Sequence, residues 1–429
     1  MARGDANAAP GWLRTALLRT KRWLLIVIGW IARALGIDLC AVGTAEELLT
    51  PYTSSLVFGN EDREQEERPY RLLVEGWRRD GALSLPGRKL VASALQACIA
   101  MRSQLELAMR NRNGSTGREV LSRPLFIVGW PRTGTTLLHK LMNECACFRA
   151  PLLWELLNPF MLEQESQAVA GTEDMLAFFF DTYPEFRAIH SMEPREADEC
   201  CHVLEYMFVD RHAPVIGQTQ HEYASWLYSR GRVEMENVYR RYKVVLESIA
   251  SHQDTALAPP TMVMKDNIHM LFLDALLEVF SDANVVCTYR DPVAVLGSNC
   301  SGFSVLSRFY YAEGDVDQRA LALRAERHLN ECANAMMRVQ TDPRYDRHFL
   351  NVCYNDLIED PIAVVERIAH RFDYTLGEDD YSSMQTYLQE HSRTRHGAHR
   401  YDVATWGFNA ADVRRKYERY EVHMTTHFQ

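Results

Sequence analysis

The chain has 429 residues, 47% of them hydrophobic and 24% charged, an ordinary globular composition with enough apolar material for a sizeable core. Its net charge of -10 argues against a nucleic-acid partner held by bulk charge, so an anionic ligand must be gripped by cations gathered locally. Ten cysteines are scattered, and neither close pair, Cys145/Cys147 or Cys200/Cys201, has the spacing or histidine partners of a zinc or redox motif, so no metal is expected.

The thiols read as small core residues of a reducing, cytoplasmic compartment. Asn113-Gly-Ser and Asn299-Cys-Ser match the glycosylation sequon, which would matter only if the chain were membrane-anchored on a secretory route.

Residues 1–45 carry Arg14, Arg19, Lys21 and Arg22 ahead of the apolar run Trp23 to Ile31. A spanning helix needs about 20 apolar residues, more than this run supplies, and no small-residue cleavage site follows it cleanly. Residues 11–37 fit an interfacial helix that touches a membrane peripherally, with Trp12, Trp23 and Trp30 near headgroup depth. A helix packed on its own protein or on a second subunit would look the same. Residues 46–120 read as a helical extension, clearest from Ala94 to Met109, with Glu61 to Arg68 a solvated face or loop. Asn111 to Gly117 reads as a linker into an α/β domain over 121–429.

That domain opens with Pro124 to Leu141, PLFIVGWPRTGTTLLHKL. Leu125 to Val128 predicts an apolar strand, Gly129 breaks it, and Leu137, Leu138 and Leu141 recur at helical spacing. The intervening loop has the layout of a phosphate cradle. Gly134 frees the backbone, the following N–H groups open a helix, Arg132 adds charge, Pro131 stiffens the turn, and Thr133, Thr135 and Thr136 add hydroxyls. Gly129 and Gly134 fit the frame G-x-x-x-x-G-K-[ST], but Thr135 stands where a nucleoside-triphosphate loop needs lysine.

Further on, Trp154 to Met161 and Met175 to Phe180 are apolar and predicted to line or cover a pocket. Pro194 can open a helix that sets Glu196, Glu199 and His202 near one face, where one of them could accept a proton. The same acids also suit a first turn that favours the helix dipole. Gln218 to Ala250 reads as helices whose Tyr223, Trp226, Leu227, Tyr239 and Tyr242 are mostly core.

Thr261 to Met264 is a short strand ending at Lys265, followed by Asp266-Asn267-Ile268-His269 and a helix. Asn284 to Tyr289 is another, ending at Arg290-Asp291-Pro292 and leading into a helix with Ser298. Strand, helix and strand at this length imply a parallel crossover, and ligands of such sheets bind beyond the carboxyl ends of the strands. Arg132, Lys265 and Arg290 all fall there. Three converging cations ask for a polyanion. The fold expected is α/β, a P-loop-like three-layer arrangement with a central parallel sheet flanked by helices, plus the helical amino-terminal extension. Later, Arg319 to Val339 reads as a surface helix, His348 to Tyr354 as a strand, and Arg393 to Tyr401 as a basic loop before a last helix.

Pro131 to Thr136 resembles, position by position, the P-[KR]-[ST]-G-[ST]-[ST] signature of sulfotransferases that use 3'-phosphoadenosine 5'-phosphosulfate (PAPS). The arginine form is that of the bacterial and carbohydrate-type branch. Leu137 stands where the small cytosolic branch has an adenine-stacking tryptophan. Arg290 and Ser298 resemble the second signature, which holds the 3'-phosphate, and Lys265 matches the family's lysine near the transferring sulfonyl group. His269 follows it without the family's usual proline between, and Asn355 to Pro361 resembles the strand-exit segment.

The resemblance implies a PAPS-dependent sulfotransferase that acts without metal on a hydroxyl or amine of a small-molecule, lipid or carbohydrate acceptor. Arg132, Thr133, Gly134, Thr135, Thr136, Arg290 and Ser298 would hold the donor. Arg132 and Lys265 would offset developing charge, and His269, or else Glu196, would take the acceptor proton. Arg395, Gly397 and Arg400 are candidates to close over the 3'-phosphate. The rivals are a nucleoside-triphosphate-dependent kinase on the same sheet and a catalytically lapsed, membrane-associated relative that serves as a binding or scaffold protein.

Overall fold

The computed structural model describes residues 42–50, 52, 57–58, 63–112, 121–184, 192–252, 260–391 and 402–428. The expectations for residues 11–37, for most of the 111–117 linker, and for Arg395, Gly397 and Arg400 lie outside them. Among the described residues no helix is long and apolar enough to cross a membrane.

Two helices, α1 (Arg63–Arg79) and α2 (Leu85–Arg112), form the amino-terminal region and share one core with the rest. The stretch expected to be a solvated face or loop starts α1, where Arg63, Glu64, Gln65 and Arg68 are exposed while Glu66 and Glu67 turn inward. There Glu66 lies 2.6 Å from Arg102 and 2.5 Å from Arg241. Burial raises the Glu66 pKa and lowers that of Arg102 to about 10. Buried charges persist there because each has partners of opposite sign.

The centre is a five-stranded sheet of β1 (Leu125–Gly129), β2 (Phe148–Arg149), β3 (Thr261–Lys265), β4 (Asn284–Tyr289) and β5 (Phe349–Cys353). The order is β2-β3-β1-β4-β5 and every pairing is parallel. All of β1 is buried, as an unbroken apolar run in a parallel sheet must be. Its alternating side chains serve two layers. Phe126 and Val128 join a large core with Met264, Val285 and Cys287, while Leu125 and Ile127 join a smaller one with Val263, Val286 and Leu350.

Helix α3 (Thr135–Asn143) follows β1 and packs on the smaller core. After it come α4 (Cys201–Glu205), α5 (Arg232–Ser251), α6 (Pro292–Ser307) and α7 (Gln318–Gln340). The chain closes with α8 (Tyr354–Glu359), α9 (Pro361–Arg371) and α10 (Ala410–Thr426). The tyrosines at 223, 239 and 242 are core, as is Leu227.

Helix α7 is not the surface helix its charges suggested. Leu321, Ala325, Leu329, Cys332 and Met336 recur every three or four residues and form a buried stripe. Its Leu329 carbonyl accepts a hydrogen bond from the Trp130 indole at 2.9 Å, and Trp130 stacks 4.2 Å from Tyr420 of α10. The loop after β1 is thus braced by two helices from the far end of the sequence.

Candidate active site

The β1 loop needs its glycines. At Gly129, φ is 148° and a Cβ would lie 2.3 Å from Thr288 Oγ1; at Gly134, φ is 91° and a Cβ would meet Leu357 at 2.7 Å. Arg132 also takes a left-handed conformation, φ 74°. Gly134 caps α3 without any side-chain hydrogen bond, so the first-turn amides stay open to an anion. Thr135 and Thr136 line the cleft in front of them. Thr133 does not: its hydroxyl is fully buried, donates to the Trp130 carbonyl at 2.6 Å, and touches Thr288 Oγ1 at 2.6 Å. Its side chain shapes the loop and leaves only the backbone for a ligand.

Arg132 donates its Nε to Ser298 Oγ at 3.2 Å, which joins the loop to α6. Arg290 donates its Nη1 to the Arg132 carbonyl at 3.1 Å, and its guanidinium carbon lies 4.0 Å from the centre of the Tyr354 ring. Among the described residues neither guanidinium forms an ion pair with a carboxylate.

Lys265, at the end of β3, is 3% exposed and its ammonium contacts Glu199. The other Glu199 oxygen contacts Arg211, and Arg211 reaches on to the buried Asp266. Burial raises the Asp266 pKa, with the Arg211 charge opposing it. Glu199 therefore stands between two cations in a cleft that Arg132 and Asn267 also line. The rest of the lining includes Gly302, Phe303 and Leu306 of α6 and His212 and His328. Burial, and secondarily Arg211, pushes these imidazoles down to about 3 and about 4, so both are neutral near pH 7.

Two expected catalytic residues lie elsewhere. His269 is fully buried, with Nδ1 2.9 Å from the Tyr239 hydroxyl and Nε2 3.3 Å from Cys200 Sγ. Burial drives its pKa to about 3, and it belongs to the core between β1 and α5. Glu196 pairs with Lys140 in a separate recess beside Thr386 and Tyr387.

The helix expected at Pro194 does not form. Leu153 N–H donates to the Glu196 carbonyl and Trp154 N–H to that of Pro194, both at 3.0 Å, while Ala197 bridges Leu152. Only at Cys201 does α4 begin, so Glu196 and Glu199 face different recesses. His202 pairs with Glu205 at 3.7 Å. Trp154 is buried away from the cleft, and Met175 and Phe178 are exposed. Arg211, His212 and His328 carried no local signal in the sequence.

A parallel sheet with an amide-lined loop beyond β1, and guanidiniums beyond β1 and β4 that among the described residues pair with no carboxylate, is an α/β arrangement suited to an anionic ligand. Residues 124–378, more than half of the chain, match the sulfotransferase family, so the chain belongs to that family and is an enzyme of sulfonyl transfer. Among similar proteins are the omega-hydroxy-beta-dihydromenaquinone-9 sulfotransferases Stf3 of Mycobacterium bovis and Mycobacterium tuberculosis. Each is 26% identical over 309 residues, 63% of this chain and 67% of the relative.

The fold is shared with two solved structures. Sulfotransferase STF9 of Mycobacterium avium has a TM-score of 0.76 at 21% identity, over 89% of this chain and 97% of its own. Sulfotransferase STF1 of Mycobacterium tuberculosis has a TM-score of 0.65 at 22% identity, over 88% and 98%.

Proposed function

We propose that the enzyme takes its sulfonyl group from PAPS and passes it to the hydroxyl of an uncharged, largely apolar acceptor. The observation that carries this is the pair Arg132 and Arg290, linked at 3.1 Å with no carboxylate partner among the described residues. Two such charges beside uncapped helix amides fit a nucleotide with phosphates at both its 5' and 3' ends. When bound, PAPS supplies an activated sulfonyl group whose bond to the 5'-phosphate oxygen breaks as the bond to the acceptor oxygen forms.

Arg132, Thr135, Thr136 and the amides that begin α3 hold the 5'-phosphate and stabilise the charge that gathers on its bridging oxygen. Arg290 and Ser298 hold the 3'-phosphate. Lys265 balances charge on the oxygens in transit. Glu199 takes the acceptor proton, an effect worth typically about 10²- to 10⁴-fold, in place of His269 and Glu196.

The acceptor class follows from the apolar part of the lining. Phe303, Leu306 and two neutral imidazoles offer an apolar, uncharged surface, and the cleft's Lys265 and Arg211 are already engaged by Glu199. The mycobacterial relatives are named for an omega-hydroxy-beta-dihydromenaquinone-9, an apolar acceptor with a hydroxyl. We place the reaction in the cytoplasm, where the buried free thiols stay reduced, with the basic and apolar sequence of residues 11–37 as its contact with a membrane.

The test is incubation with labelled PAPS and two acceptor sets, long-chain primary alcohols in detergent micelles and anionic sugars. Label is expected in the alcohols alone. Absence of product from every acceptor, together with no binding of 3'-phosphoadenosine 5'-phosphate (PAP), would overturn the reading.

A further inference from the structure

We infer that Tyr354 is a positioning residue that keeps the Arg290 guanidinium uncommitted and aimed at the donor's 3'-phosphate. The inference rests on the reading of Arg290 given above.

Arg290 leaves β4 into a recess lined by Asp291, Tyr354, Asn355, Glu421 and Thr425. A guanidinium on a flexible stem, set beside two carboxylates, would ordinarily fork onto one of them and have little left for a phosphate. Among the described residues Arg290 pairs with neither. Its face lies on the Tyr354 ring at 4.0 Å and one N–H is spent on the Arg132 carbonyl. Stacking occupies the face of the guanidinium and leaves its edge donors free, which a salt bridge would not.

The carboxylates have other work. Asp291 caps α6 by accepting from Ala294 N–H at 3.1 Å and faces Arg414 at 3.9 Å. Glu421 has its pKa raised by burial and then by the Asp291 charge.

Tyr354 is itself held. It is the first residue of α8, fixed by the end of β5, and its ring edge would be 3.3 Å from a Cβ placed on Gly134. One ring therefore touches both the cradle loop and the arginine that leaves β4. Because the ring makes these contacts, phenylalanine should replace it and an aliphatic residue should not.

The experiment is calorimetric binding of PAP and of adenosine 5'-phosphate, which lacks the 3'-phosphate, to wild type, Tyr354→Phe, Tyr354→Leu and Arg290→Ala. Wild type is expected to prefer PAP, and Arg290→Ala to lose about 10- to 100-fold of PAP affinity with adenosine 5'-phosphate unchanged. Tyr354→Leu should lose about five- to tenfold, again for PAP only, while Tyr354→Phe keeps the wild-type ratio. A Tyr354→Leu protein that retains the ratio while Arg290→Ala loses it would overturn the inference and leave the Arg290 reading standing. Equal weakening of both nucleotides in Tyr354→Leu would also overturn it, because the ring would then be shaping the loop or carrying adenine. A wild type that does not distinguish the two nucleotides would remove the Arg290 reading and the inference with it.

Discussion

The Nη1 of Arg290 donates to the carbonyl of Arg132 at 3.1 Å, and that carbonyl is presented by a residue at φ 74°. The left-handed region costs an ordinary L-residue about 1–2 kcal/mol, so the cradle holds its arginine under strain. Arg132→Gly removes the strain and the guanidinium together, although glycine loses about 0.5–1 kcal/mol through backbone freedom. The expected outcome is a melting temperature at or slightly above wild type, with PAP affinity at least about tenfold weaker by calorimetry. A protein that binds PAP normally would show that the loop amides suffice without this side chain.

Gly302 of α6 lines the cleft, and a Cβ there would meet no atom within 4 Å. Leucine at this site suits the helix better than glycine, by roughly 1 kcal/mol of propensity, so the fold should tolerate Gly302→Leu. Its side chain would fill the space beside Phe303 that the acceptor is proposed to use. The acceptor KM should rise at least about tenfold while the Kd for PAP stays put, since steric loss in an apolar pocket is worth about 1–3 kcal/mol. An unchanged KM would move the acceptor to another wall.

Among the described residues burial lowers the pKa of six histidines. It holds His139, His328 and His423 at about 4 and His212 and His269 at about 3, and pushes His348 down as well, against 6.5 when unfolded. Between those values the unfolded chain binds protons the native one refuses, so their contribution to stability is complete above about pH 6.5 and is lost as the pH falls. Each adds about 1.4 kcal/mol per pH unit to the slope in that window. The urea midpoint should fall steeply below pH 6. In His269→Gln that slope should be shallower by about one proton, and the pH profile of kcat should keep its shape, because this imidazole never meets the acceptor.

The positions of the proposed donor-binding cations could be read from the sequence because each stands at or just past the end of a strand whose apolar run is unmistakable. Arg132 follows Leu125–Gly129, Lys265 ends Thr261–Lys265, and Arg290 follows Asn284–Tyr289. The acceptor half was less legible because its residues are brought in by pairing between distant segments. Pro194 looked like a helix start, yet its carbonyl and that of Glu196 are taken by Trp154 and Leu153, which turns Glu196 away. Asp266 carried no sequence signal and is the buried anchor of Arg211. His269 follows Lys265 at a plausible spacing, but the short 3-10 turn Ile268–Leu271 rotates it into the core.

Glu199 is held between Lys265 and Arg211 in the cleft that Arg132 also lines. The direct measurement is the single-turnover rate of sulfonyl transfer from PAPS to a long-chain alcohol by wild type and Glu199→Gln, with PAP affinity as the control. The account predicts a rate lower by about 10²- to 10⁴-fold, with PAP bound at least as tightly because Lys265 loses its carboxylate partner. Transfer by the Glu199→Gln variant at the wild-type rate would contradict it.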